Sequence, residues 1–186
     1  RWLKGDERWG TGPDGNELLG GTNVYFNNPY WLQYRKTNST NKNRLTGAIN
    51  LKYDITDWLY IQGAVTRDSY NIEYKEVQPM GASADPSGFA EEYVHHFYEN
   101  NFNFLLGFDK TFGDWSVGAT FGGNQLKNVN KRWRADGRPF LVPDFGSINN
   151  TGNRPMDKTY REYRVNSLYA TADIGFKNQL FLNVTG

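Results

Sequence analysis

The sequence predicts an all-β fold: a segment of an antiparallel, up-and-down transmembrane β-barrel, with about six strands in three hairpins. Three observations lead there. Stretches of about ten residues alternate apolar and polar side chains, these stretches come in pairs across very short turns, and aromatic residues gather at the turns. Period-two alternation is how a strand with one apolar and one polar side is written.

The first pair is "RLTGAINLKY" and the run after it. Leu45, Gly47, Ile49, Leu51 and Tyr53 share one face, and Arg44, Thr46, Ala48, Asn50 and Lys52 the other. Past a turn over 54–57, Leu59, Ile61, Gly63 and Val65 oppose Tyr60, Gln62, Ala64, Thr66 and Asp68. A turn this short makes the pair a hairpin. The second pair sets Phe102, Phe104, Leu106 and Phe108 before the turn and Trp115, Val117, Ala119 and Phe121 after it. The third sets Leu168, Ala170, Ala172, Ile174 and Phe176 before Lys177-Asn178, with Leu180, Leu182 and Val184 beyond.

The connections are unequal. Turns within hairpins hold two to four residues, whereas long loops are expected near 76–98 and 128–160. Membrane barrels show this asymmetry, with short periplasmic turns and long extracellular loops. Within the first loop, "SGFAEEYVHHFYEN" is compatible with one or two helical turns, since Phe89, Tyr93 and Phe97 recur every four residues. Residues 1–40 are turn-rich and read as an irregular extracellular loop segment, leaving 41–186 as the partial barrel.

Two near-identical phrases, "DITDWLYIQG" and "TFGDWSVGAT", place Asp-Trp beside a turn twice. Tyr53, Trp58, Phe112, Trp115 and Phe176 would then form a ring of membrane-interface aromatics at one height. Tyr70, Tyr74, Tyr93, Tyr98, Phe102, Tyr160 and Tyr163 are candidates for an opposite ring.

Composition narrows the function. Aromatic residues make up 16% of a 186-residue chain whose net charge is +1, which is unlike a disordered segment. A balanced charge gives no reason to expect nucleic acid as a partner. Cysteine is absent, so disulfide scaffolds and zinc–thiolate sites are excluded. No apolar run approaches the ~18–20 residues of a membrane-spanning helix, and a β-barrel needs none. The chain begins at Arg1 without a leader pattern and stops inside "QLFLNVTG", so a piece of a longer protein is expected.

No residue pattern suggests a catalytic group, a metal site or a cofactor. His95-His96 would point to opposite sides of an extended chain. The glycines from Gly10 to Gly21 lack a phosphate-loop ending. Asp14-Gly15-Asn16-Glu17 offers oxygen ligands that a weak Ca²⁺ site could use, although a plain turn is the simpler reading. The stretch "NVNKRWRADGRPF" sets Trp133 between Arg132 and Arg134, with Arg138 nearby. Such aromatic and guanidinium groups suit stacking on sugar rings and pairing with acidic substituents. Trp133, Arg134 and Arg138, with Tyr93 from the other long loop, are therefore the candidate ligand or partner contacts. An alternative leaves Trp133 packed on a neighbouring loop and the arginines solvated.

The ordered segments "NNPYW", "NRLTGAINLKYDITDWLYIQG", "NFNFLLGFDKTFGDWSVGATFGGN", "FLVPDFGSINN" and "RVNSLYATADIGFKNQLFLNVTG" resemble the SusC-like TonB-dependent outer-membrane transporters of Bacteroidota, from about Asn27 to Gly186. That resemblance implies a barrel of about 22 strands, of which this chain would supply about a quarter. It also implies a plug, energy from TonB through parts of the protein outside this chain, and a SusD-like surface lipoprotein as lid. The implied activity is import of oligosaccharides or peptides across the outer membrane. Two other readings stand beside it: a passive porin or assembly component of the same membrane, and a soluble carbohydrate-binding β-sandwich module. The sandwich predicts that Leu45, Ile49, Leu59, Ile61, Phe102, Phe104, Ile174 and Leu182 are buried against a second sheet.

Overall fold

The computed structural model describes residues 10–18 and 26–186. A short helix α1 (Pro29–Arg35) leads into strands β1 (Thr37–Thr56), β2 (Leu59–Gln78), β3 (Phe89–Phe112) and β4 (Trp115–Phe140). A 3-10 turn (Ile148–Asn150), β5 (Thr151–Asn153), β6 (Met156–Phe176) and β7 (Leu180–Thr185) follow. The sheet is antiparallel and up-and-down, in the order β1-β2-β3-β4-β6-β7, with β5 on β4. The six principal strands and three hairpins are those the alternation predicts.

The strands are longer than the alternation suggests. β3 runs 24 residues and β4 runs 26, against a usual five or six. The long connections shrink accordingly, to 79–88 and 141–155. "SGFAEEYVHHFYEN" contains no helix: from Phe89 it is strand, and Tyr93 stacks on Tyr74 of β2 at 4.7 Å. Its four-residue aromatic spacing is also an even spacing, so a strand places the same rings on one face. "NVNKRWRADGRPF" likewise lies within β4 and is not a loop. The expected irregular segment 1–40 holds α1 and the start of β1, because Asn28 caps Pro29–Arg35 with proline in its first turn. The parts of that expectation covering residues 1–9 and 19–25 lie outside the described residues.

The chain divides into two units. The loop unit comprises residues up to Asn43, Asn71–His96 and Lys131–Tyr160. Its core contains Val77, Ala90 and Phe140, with Met80 and Ile148 packed against them. Polar clamps hold the connections. Glu17 accepts from the Ser83 N–H (2.6 Å) and the Asn28 N–H, and the Asn28 amide donates to the Leu18 carbonyl (2.8 Å). Buried Asn150 ties down the 141–155 connection, accepting from the Val142 N–H (3.0 Å) and donating to the Phe145 carbonyl (2.7 Å).

The turn unit comprises Arg44–Tyr70, Phe97–Asn130 and Arg161–Gly186. Among its described residues, Val129 is the one buried apolar side chain. Leu45, Ile49, Ile61, Phe102, Phe104, Ile174 and Leu182 are all exposed, so no second sheet covers them as the sandwich reading requires. The opposite face is polar and cross-linked. Arg44 and Thr46 donate to Asp68 (2.9 and 3.0 Å), Tyr169 to Asn103 (3.0 Å), and Asn124 to Asn101 (2.6 Å). A face of paired polar groups behind a bare apolar face has hydrophobic order reversed relative to a water-soluble domain.

The repeated Asp-Trp serves the strand junctions. Asp57-Trp58 forms the first two-residue connection, Gly113-Asp114 the second, with Gly113 at φ 59°. The third connection holds three residues, 177–179, and Lys177 and Asn178 both take positive φ there, as the central residues of a type I′ turn do. Trp58 meets Phe108 edge-on at 5.4 Å, and Trp115 meets Phe176 at 4.6 Å, so each tryptophan joins its turn to the next hairpin. Asp114 pairs with Lys177 (3.6 Å) across the same junction. Tyr53, Phe112 and Trp115 remain exposed there. Of the rings expected in an opposite belt, Tyr74 stacks on Tyr93, and Tyr70 stacks on Phe97.

Candidate functional site

Three arginines of β4 and the facing residues of β2 and β3 make the richest polar cluster of the loop unit. Because strand residues alternate in direction, Arg132, Arg134, Asp136 and Arg138 all turn to one side of β4. Tyr93 stacks on Tyr74 with planes 17° apart, and the Arg132 guanidinium lies 4.6 Å from the Tyr93 centroid. Stacked aromatic and guanidinium faces hold one another rigid while leaving the arginine's in-plane N–H groups usable.

Ion pairs extend the cluster on both sides. Arg134 donates to Glu91 Oε2 (2.9 Å), and its Nε sits 2.9 Å from Oε1 without the alignment of a hydrogen bond. Asp136 bridges Arg134 (3.5 Å) and Arg138 (3.3 Å), and Arg138 reaches Asp85 (3.7 Å) and the Phe89 ring (5.1 Å). On the other side Tyr74 donates to Glu76 (2.6 Å), which also pairs with Lys36 (2.6 Å). These residues lie outside the bare apolar rows of the turn unit. The hydrogen bond to Glu76, with burial adding, pushes the Tyr74 phenol up to about 12. For Glu76, burial works to raise its pKa, but the hydrogen bonds from Lys36 and Tyr74 outweigh it, so the carboxyl is held below its ordinary value. The Glu91 hydrogen bond, against some burial cost, raises the Arg134 guanidinium further.

The four predicted contact residues do not form one surface. Arg134, Arg138 and Tyr93 join the cluster above. Trp133 points to the other side of β4, edge-on to His96 at 5.3 Å and under the Lys158 ammonium. Read as loop, the four could converge; in a strand, adjacent Trp133 and Arg134 diverge. A groove of about 580 Å³ runs beside Trp133. Lys75, Glu92 and Val94 turn towards it, while Tyr93 and Arg134 border it from between those alternating side chains. Arg132 and Tyr74 were missed in the sequence as partners of Tyr93, since only the β2–β3–β4 register brings them together.

The other sequence candidates resolve locally. His96 Nδ1 bonds Asn71 (2.6 Å). Asp14 accepts from the Asn16 backbone (3.1 Å) and side chain (2.7 Å), which holds its carboxyl below the ordinary value. Glu17 turns away to Asn28 and Ser83, so the four-residue turn does not pool its oxygens.

No protein-family model matches the sequence, and no curated protein matches it. Solved structures do match in fold. The RagAB peptide transporter superposes with a TM-score of 0.75 at 11% identity, over 86% of this chain. The RagAB peptide importer does so in its "closed-closed" state (0.76, 11%) and its "open-open" state (0.74, 13%), again over 86% of this chain. This chain spans 18% of the length of each. At such identities the likeness is one of fold: the chain folds as a stretch of the RagAB chain folds.

Proposed function

We propose that this chain is part of the wall of an outer-membrane β-barrel that imports bulky nutrients, and that it performs no reaction itself. The observation that carries the reading is the bare apolar face of the turn unit on strands more than long enough to cross a bilayer, for which ~9–11 residues suffice. A barrel wall satisfies every backbone group inside hydrocarbon, which an open sheet does not. In this reading Tyr53, Trp58, Phe112, Trp115 and Phe176 lie at the membrane–water interface.

The ligand surface is then the Tyr74–Tyr93–Arg132 stack with Arg134 and Arg138. Alternating carboxylates and guanidiniums on an aromatic floor suit a zwitterionic, extended ligand, and the RagAB structures are those of a peptide transporter. We therefore favour peptides over oligosaccharides. Import would proceed with a SusD-like lipoprotein over the mouth and TonB acting on parts of the protein beyond this chain.

The test starts with the protein purified from its native membrane. An intact mass several times the 21.4 kDa of this chain, with a co-purifying lipoprotein, is expected. A water-soluble protein of that smaller mass would sink the reading. In the complete protein, Tyr93→Ala with Arg132→Ala should weaken peptide binding about tenfold, the loss of one or two desolvated contacts. Trp133→Ala should leave it nearly unchanged.

A further inference from the structure

The apolar face of the turn unit is not smooth. A furrow of about 670 Å³ crosses it, walled by Leu51, Phe102, Phe104 and Leu168. Its floor is open at Gly63, where an added Cβ would touch nothing within 4 Å. Phe104 and Leu168 lean over Gly123 and close the furrow on that side. Gln125 and Asn166, hydrogen-bonded to each other (2.9 Å), line one end.

Beyond that end the face becomes charged within two residues of the furrow, whereas at the opposite end Lys110 is met only at the turn, over the Trp58 and Phe112 rings. Arg67 follows Val65 on β2, Lys127 follows Gln125 on β4, and Arg164 precedes Asn166 on β6, each two residues from the furrow, or roughly 7 Å along a strand. Arg67 lies over the Tyr98 ring at 5.3 Å. Glu162 pairs with Lys127 (3.3 Å) and Arg164 (3.1 Å). Three cations and one carboxylate leave this rim with two net positive charges. In the other direction the face carries Ile61, Leu106, Phe121 and Ala170, all uncharged, before the turns.

We infer that the furrow seats one acyl chain of a phospholipid whose headgroup is net negative, with its phosphate held by Arg67, Lys127 and Arg164. The inference rests on the reading that the turn unit spans a bilayer. A phosphate brings the charge that the rim lacks, and the fixed order of apolar furrow, amide end and cationic rim matches a lipid read from chain to headgroup. A lipid with a zwitterionic headgroup fills the furrow equally but gains less from the rim.

The complete protein would be reconstituted in bilayers, then extracted in mild detergent with equal phosphatidylglycerol and phosphatidylcholine of identical chains. Retained lipid would be counted by native mass spectrometry. The expectation is one tightly retained phosphatidylglycerol, favoured roughly tenfold, the effect of one to two net charges at a membrane surface. Arg67→Gln with Lys127→Gln should abolish the preference, and Gly63→Phe, which fills the open floor, should lose both lipids. Equal retention of the two lipids, or a Gly63→Phe protein that keeps its lipid, overturns the inference while leaving the membrane reading intact. A protein that never enters bilayers overturns both.

Discussion

At the residue scale, glycines on the two faces of the turn unit have opposite meanings. A Cβ on Gly122 would run into the Tyr169 ring, which packs over the glycine and donates to Asn103. Gly122→Ala should therefore displace the ring and cost about 1–2 kcal/mol, the effect of a broken, partly buried hydrogen bond with some strain. Gly63→Ala, into open space, should stay within about 0.5 kcal/mol. Urea titration of the folded protein in vesicles distinguishes the two. Titration of Tyr74 and Glu76 gives a second residue-scale expectation. Glu76 is depressed in the folded state, so its contribution is present above the ordinary carboxylate range and is lost as pH falls through the depressed value. Tyr74 is raised, so its contribution is present below pH 10.0 and disappears as pH rises towards about 12. Tyr74→Phe should remove the alkaline loss and shift the acid loss to higher pH, because Glu76 keeps only Lys36 as its hydrogen-bond donor of the two. Monitoring phenolate absorbance and unfolding on one sample would check both.

At the element scale, α1 is seven residues long and would be marginal alone. It persists because Asn28 accepts from the Tyr30 N–H (3.0 Å) while its amide donates to Leu18, and because Trp31 is wholly buried. Asn28→Ala removes both bonds and should cost about 1–2 kcal/mol. Faster proteolysis confined to the region before β1 is the expected sign, with the hairpins protected. The turns follow another logic. Trp115→Ala deletes the ring that meets Phe176 and should cost about 0.5–1.5 kcal/mol beyond its lost area. Asp114→Asn, which weakens only an exposed pair with Lys177, should be close to neutral. Helix α1 was legible in principle, as Asn28-Pro29 is a helix-start signal. It was obscured by the glycine- and asparagine-rich residues around it.

At the scale of the whole molecule, the two units differ in how they bury apolar side chains. The loop unit keeps Val77, Ala90, Phe140 and Trp31 inside, as a domain in water does. The turn unit leaves Leu45, Leu51 and Leu168 about 70% exposed. A charge placed mid-face should therefore act as it does in a lipid wall: Ile49→Arg should cost about 2–4 kcal/mol in bilayers. If the same change proves neutral there, the apolar face meets something other than hydrocarbon.

The alternation alone determined that six principal strands pair in three hairpins, because period two survives any environment that covers one face. It also placed the turns within a residue or two, since Asp-Trp, Gly-Asp and Lys-Asn each break that period. Tertiary structure decided where the strands stop. Past Arg67 on β2 and Gln125 on β4, polar residues occupy both faces and aliphatic ones such as Ile72, Val77, Leu126 and Val129 are scattered, so polarity no longer alternates even though the backbone does. That is why "EEYVHHFYEN" and "NKRWRADGRPF" read as loops and fold as strands. It is also why Trp133 and Arg134, neighbours in sequence, serve opposite faces, while Tyr74, Tyr93 and Arg132 meet only through the register of three strands. A sequence reports the period of its own side chains; which strand lies alongside which, and at what offset, is set by backbone hydrogen bonds and the packing of rings across them.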